Sequence, residues 1–75
     1  MQSAWIMKVC NDPYQNIIFK IQTDLHTICL SKCIDNNYGY AIEFYKNNSD
    51  DVTYYYYDDL RKAIEEVHEL MNAYN

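Results

Sequence analysis

Glycine and proline are nearly missing from this chain: one residue of each among 75. Together with 49% hydrophobic and 16% aromatic residues, that scarcity excludes a linker-like or disordered composition. Enough apolar surface is present to collapse into a core. No apolar run approaches the ~18 residues a membrane span requires. Met1 to Cys10 has neither a basic start nor a long apolar stretch, so no signal peptide is expected. Cysteines are few and odd in number (Cys10, Cys29 and Cys33), with no disulfide-framework spacing. A cytoplasmic protein with reduced thiols is the reading these absences support.

Positive charge is scarce as well. The net charge is −5, and it is unevenly placed. Residues 1–42 balance Lys8, Lys20 and Lys32 against Asp12, Asp24 and Asp35. Residues 43–75 set Lys46, Arg61 and Lys62 against Glu43, Asp50, Asp51, Asp58, Asp59, Glu65, Glu66 and Glu69. The whole excess therefore lies in the C-terminal half. Direct binding of DNA or RNA is disfavoured, because phosphate contacts need Lys and Arg. A basic protein surface is the better partner.

Catalytic signatures are also lacking. There is no glycine-rich phosphate loop, no HExxH, and no Ser-His-Asp grouping that spacing brings together. Glu65 and Glu66 are adjacent on a helix, so they diverge by ~100° rather than converge. His68 falls at the flank of an apolar stripe. His26, Cys29, Cys33 and Cys10 suggest zinc only superficially. Cys29 and Cys33 on one strand would lie ~13 Å apart at ~3.3 Å per residue, too far for one tetrahedral ion. No catalytic residue, metal or cofactor is expected.

Seventy-five residues form a single domain with one small core. Apolar residues alternate through the first two-thirds of the chain, and the period becomes helical in the last quarter. Trp5, Met7 and Val9 begin a first strand, and Asn11-Asp12-Pro13 turns it. Ile17, Phe19 and Ile21 line a second, with Thr23-Asp24 as a short turn. His26 to Ile34 make a third, and Asp35-Asn36-Asn37 a second Asx-rich turn. Tyr38, Tyr40, Ile42 and Phe44 make one face of a fourth strand, and Lys46 to Asp51 a polar loop. Val52 to Tyr57 form a fifth, rich in residues that favour pleated sheet.

Leu60, Ala63, Ile64, Val67, Leu70, Met71 and Tyr74 then recur on one helical stripe. A helix over about 59–73 follows, capped by Asp58 or Asp59. The predicted fold is α+β: an antiparallel meander of about five strands, all within residues 4–57, with one C-terminal helix packed on one face.

What stands out is the run Asp50-Asp51-Val52-Thr53-Tyr54-Tyr55-Tyr56-Tyr57-Asp58-Asp59. Alternate tyrosines of a strand face opposite ways. One pair can fill the core beneath the helix while the other merely decorates the outer face. Alternatively, the exposed pair makes an aromatic ladder suited to an interface. Acidic pairs bracket that strand, and Glu65, Glu66 and Glu69 extend the charge along the helix. Carboxylates at intervals on a rigid surface can imitate a phosphate backbone, although charged helix faces also serve solubility. The candidate partner-binding residues are Asp50, Asp51, Tyr55, Tyr57, Asp58, Asp59, Glu65, Glu66 and Glu69.

Tyr57-Asp58-Asp59-Leu60-Arg61-Lys62-Ala63-Ile64-Glu65-Glu66 resembles the strand-to-helix unit of HicB-type antitoxins. In its length, its −5 charge and its tyrosine-aspartate strand, the chain is similar to small phage-encoded anti-defence proteins of the anti-CRISPR kind. The latter resemblance implies a non-enzymatic inhibitor acting in the host cytoplasm. Its acidic surface would occupy a basic nucleic-acid-binding groove on a host nuclease complex. The former implies an antitoxin or oligomeric adaptor, pairing through its sheet edge. A third reading is a sponge for a nucleotide signal, with tyrosines stacked on the base. A monomer fits the inhibitor, and a homodimer fits the adaptor.

Overall fold

The computed structural model describes residues 4–8, 16–33 and 39–74. The chain is an antiparallel meander followed by a helix: β1 (Ile6–Lys8), β2 (Ile17–Gln22), β3 (His26–Lys32), β4 (Tyr40–Lys46), β5 (Val52–Tyr57) and α1 (Leu60–Ala73). Strand order in the sheet is the order of the chain. Val9, Cys10, the Asn11-Asp12-Pro13 turn, Ile34, Tyr38 and the Asp35-Asn36-Asn37 turn lie outside the described residues. Lys46, expected in the loop, is the last residue of β4 and pairs with His26.

Register puts the core together row by row. Ile21 lies opposite Ile28, and Ile28 opposite Phe44. Phe19 lies opposite Leu30, Leu30 opposite Ile42, and Ile42 opposite Tyr55. All of these point to one face, and α1 covers it with Ala63, Val67 and Leu70. Ile28, Leu30 and Ile42 are fully buried, each worth about 1.5–3 kcal/mol of transfer from water. The register shifts between Ile17 and Phe19, and this irregularity leaves Ile18 exposed.

The helix starts where the sequence changes period. Asp59 is the N-cap, its carboxylate accepting the Arg61 N–H at 2.9 Å. At the other end the Tyr74 N–H donates to the Leu70 carbonyl at 3.0 Å. There Tyr74 joins Phe44 and His26 in an aromatic group, with ring centroids 4.7–5.5 Å apart. That group ties the last helical turn to the β3–β4 end of the sheet.

Thr23 and Asn47 organise the same end. The Thr23 hydroxyl accepts the N–H groups of Leu25 and His26, closing the β2–β3 turn. Asn47 donates to the Thr23 and Asp24 carbonyls. Asn48 takes a positive φ of 66°, which Asn tolerates better than most residues. The single glycine, Gly39, has φ +70°, and a Cβ there would sit 3.4 Å from the backbone oxygens of Tyr57 and Asp58. Left-handed backbone and close approach both call for glycine at this position.

Helix α1 packs on β3, β4 and β5. Beyond its other flank, Met7, Phe19, Ile21, Ile64, Val67, His68 and Met71 line an apolar cleft of about 240 Å³. Among the described residues no helix is long and apolar enough to cross a membrane.

Candidate protein-binding surface

Strand β5 carries the unusual chemistry, and its pairing decides which tyrosines reach solvent. Ile42 lies opposite Tyr55, and Tyr40 opposite Tyr57, so these two tyrosines share the helix-facing side with the core. Both are half-buried. Tyr54 and Tyr56 point the other way and are 52% and 47% exposed. Their rings stack at 6.4 Å with an interplanar angle of 11°. Of the expected contact residues, Tyr55 and Tyr57 thus lie on the helix-facing side, and the outward pair is Tyr54 and Tyr56. The reason is the helix, which claims the face that Ile42 already defines.

The rows behind that pair are compact. Tyr54 lies opposite Glu43 and Tyr56 opposite Ala41. Ala41 and Cys29 are buried although they point away from the helix, so this second face is shielded by its larger neighbours.

Carboxylates surround the strand. Asp50 and Asp51 precede it and Asp58 and Asp59 follow it, all exposed. Asp59 is occupied as the helix cap. Asp58 lies 3.8 Å from the Lys62 ammonium, and Glu65 lies 3.8 Å from the Arg61 guanidinium. Both are exposed pairs one helical turn apart, worth about 0.3–0.5 kcal/mol each. Among the described residues, Asp50, Asp51, Glu66 and Glu69 have no cation within ion-pair distance.

Spacing along the helix then joins the acidic groups to the tyrosines. Lys62, Glu66 and Glu69 recur on the α1 flank nearest β5. With Tyr57 and Glu65 they line an open polar cleft of about 230 Å³. Burial, then hydrogen bonding and repulsion from Glu69, raise the Glu66 pKa above the ordinary carboxylate value; a hydrogen bond from Tyr57 opposes the rise. Burial first, then the charge of Glu66 and the hydrogen bond to it, raise that of the Tyr57 phenol. The cleft is therefore over-supplied with negative charge, and an incoming cation would relieve it. Glu65 belongs to the rim and is engaged with Arg61. Sequence reasoning placed the glutamates on the helix but missed their meeting with Tyr57. The i, i+4, i+7 spacing of residues 62, 66 and 69 was the available signal.

Cys29 is buried and Cys33 half-buried. Among the described residues, no three His, Cys, Asp or Glu side chains are grouped so as to hold a metal. Chemically, the β5 region offers stacked phenols, carboxylates and an acidic cleft. No family model, curated protein or solved structure matches this chain.

Proposed function

We propose that this protein is a non-enzymatic inhibitor of the phage anti-defence type. It presents an acidic, tyrosine-bearing surface to a basic nucleic-acid-binding groove on a host nuclease complex. The observation that carries the reading is the arrangement around β5. Two exposed stacked tyrosines are bracketed by Asp50, Asp51, Asp58 and Asp59, with Glu66 and Glu69 alongside. Glu66 and Glu69 are held on α1 and the four aspartates flank β5 at its ends, so the backbone that carries them is already ordered when a complementary surface arrives. Their field steers a basic partner and speeds encounter at low salt. The tyrosines then add contact area, and the bound protein excludes nucleic acid by occupying its groove.

Replacement of Asp50, Asp51, Asp58 and Asp59 by Asn tests this directly. All four are exposed and outside the core, and Asn serves as an N-cap at position 59, so the fold is retained. Affinity capture from bacterial lysate at low and high salt, with identification of the retained proteins, gives the readout. The expected result is a nuclease complex held at low salt, released at high salt, and lost with the Asn variant. Retention of that complex undiminished by the four substitutions would sink the electrostatic reading.

Pairing of β5 with a second copy is the competing use of the same strand. Among the described residues no strand covers its outer edge, and β5 carries no proline or lysine to discourage pairing. Sedimentation at low and neutral pH distinguishes the two, since acidic flanks oppose self-association only while they are charged.

A further inference from the structure

The ladder geometry shows which backbone groups of β5 face outward. The Cys33 N–H donates to the Gly39 carbonyl and the Asn47 N–H to the Leu25 carbonyl, which makes these the hydrogen-bonded pairs at the two ends of β3–β4. Hydrogen-bonded pairs alternate along an antiparallel ladder. Ala41, Glu43 and Tyr45 therefore bond toward β3, while Tyr40, Ile42 and Phe44 bond toward β5. Their partners Tyr57, Tyr55 and Thr53 turn their backbone groups inward. Val52 and Tyr54 turn theirs to the edge of the sheet, where β5 has no further strand among the described residues.

We infer that this edge receives an extended basic segment of the partner protein, which pairs antiparallel with β5 as a sixth strand. The inference rests on the reading of the acidic surface as a docking face and specifies how the partner is held. A residue placed opposite Tyr54 exchanges two backbone hydrogen bonds with it and projects beside the exposed phenols. Residues opposite Tyr55 and Tyr57 project toward the helix, to the cleft where Glu66 and Glu69 stand beside Tyr57, with Lys62 there engaged by Asp58. Lys or Arg at those alternate positions meets carboxylates that have no cation within ion-pair distance among the described residues. Basic residues at the ends of the segment meet Asp50 and Asp51 at one end and Asp58 at the other. Charge also argues against a second copy as the occupant. Antiparallel self-pairing would set Asp50 and Asp51 of one chain against Asp58 and Asp59 of the other, at a like-charge cost that a basic strand avoids.

A short synthetic peptide alternating arginine and valine, with blocked ends, is the probe. Two methylated versions accompany it: one N-methylated at the valines, whose amides would face β5, and one N-methylated at the arginines. Binding is read by fluorescence anisotropy and by hydrogen exchange at the Val52 and Tyr54 amides. The unmodified and arginine-methylated peptides are expected to bind and slow both amides, and the valine-methylated peptide to bind at least tenfold more weakly.

Tyr54→Pro removes the phenol together with an outward N–H, so it is read against Tyr54→Ala, which removes the phenol alone; edge strands tolerate proline at an outward N–H. Relative to Tyr54→Ala it is expected to lower affinity about tenfold, the loss of one net hydrogen bond. Equal binding of both methylated peptides overturns strand addition but leaves the acidic docking surface standing. No binding of the unmodified peptide overturns strand addition as well, and the Asn variant then decides the broader reading by itself. Equal binding of a glutamate-valine peptide overturns both.

Discussion

The Thr27 hydroxyl donates to the Asn47 carboxamide oxygen at 2.6 Å, joining β3 to the loop between β4 and β5. Through its amide nitrogen, the same Asn47 side chain holds the Thr23 and Asp24 carbonyls at 3.0 and 3.1 Å. One side chain thus staples two turns at the same end of the sheet. Thr23 and Thr27 are both buried, so neither finds water easily if Asn47 is lost.

Asn47→Ala should therefore cost about 2–3 kcal/mol, the sum of one or two buried groups left unsatisfied. Asn47→Asp keeps the acceptor for Thr27 but loses both donated bonds, and should fall between wild type and Ala. Urea denaturation followed by circular dichroism measures both. A loss below about 0.5 kcal/mol for Ala, the range of ordinary surface changes, would show that the staple carries no weight.

The two aspartates before the helix should behave differently. Asp59 accepts the Arg61 N–H as the N-cap, so Asp59→Ala is expected to cost about 1 kcal/mol. Asp58 makes only an exposed pair with Lys62, and Asp58→Ala should cost no more than about 0.5 kcal/mol. Equal losses for the two would remove Asp59 from its capping role.

Glu66 gives a pH dependence opposite to that of a salt-bridged carboxylate. Its folded pKa is raised by burial and by Glu69, so the folded protein binds this proton more readily than the unfolded chain does. This contribution to stability is complete below the unfolded carboxylate pKa and is lost as pH rises through the folded value. Lys62, Glu65, Glu69 and Tyr57 face the same cleft and modulate the effect. Glu66→Gln should remove the decline from mildly acidic toward neutral pH, as read from urea midpoints across that window. An unchanged profile would place the titration elsewhere. Tyr57 acts on the alkaline side: its raised pKa should make it one of the last tyrosines to ionise in an ultraviolet titration, and Tyr57→Phe should remove that late phase.

Exchanging the two tyrosine pairs separates contact from core. Tyr54→Ser with Tyr56→Ser should leave stability nearly unchanged and weaken partner binding. Tyr55→Ala should cost about 2 kcal/mol, below the range for a fully buried aromatic ring because Tyr55 is half-buried. A stable Tyr55→Ala protein that no longer binds its partner would reverse the assignment of the faces.

The meander and the helix were legible in the sequence because their signals are local. Phe19 and Ile21 alternate with Lys20 and Gln22, and the stripe from Leu60 to Tyr74 repeats at helical spacing, whereas Ile17, expected on the face of Phe19 and Ile21, lies opposite Ser31 across the register shift. The side on which the helix lands was not legible. It depends on Ile42 and Tyr55 being neighbours across β4 and β5, a relation between residues thirteen apart that periodicity alone leaves open. The cleft of Tyr57, Glu66 and Glu69 was hidden for the same reason: its members belong to different elements. Asn47 reads as one more polar loop residue until Thr23 and Thr27 are brought beside it.

Since each strand pairs with the one before it, the sheet can assemble in the order of synthesis, and its lid arrives last. Until α1 has left the ribosome, Ile28, Leu30, Ile42 and Phe44 have no cover. Nascent chains stalled before Leu60 should therefore be sticky, engage chaperones and show little amide protection. Emergence of α1 should convert them in one cooperative step, at a speed set by short-range topology. Pulse-labelled exchange on stalled chains would display that step; strong protection of β3 and β4 before the helix emerges would contradict it.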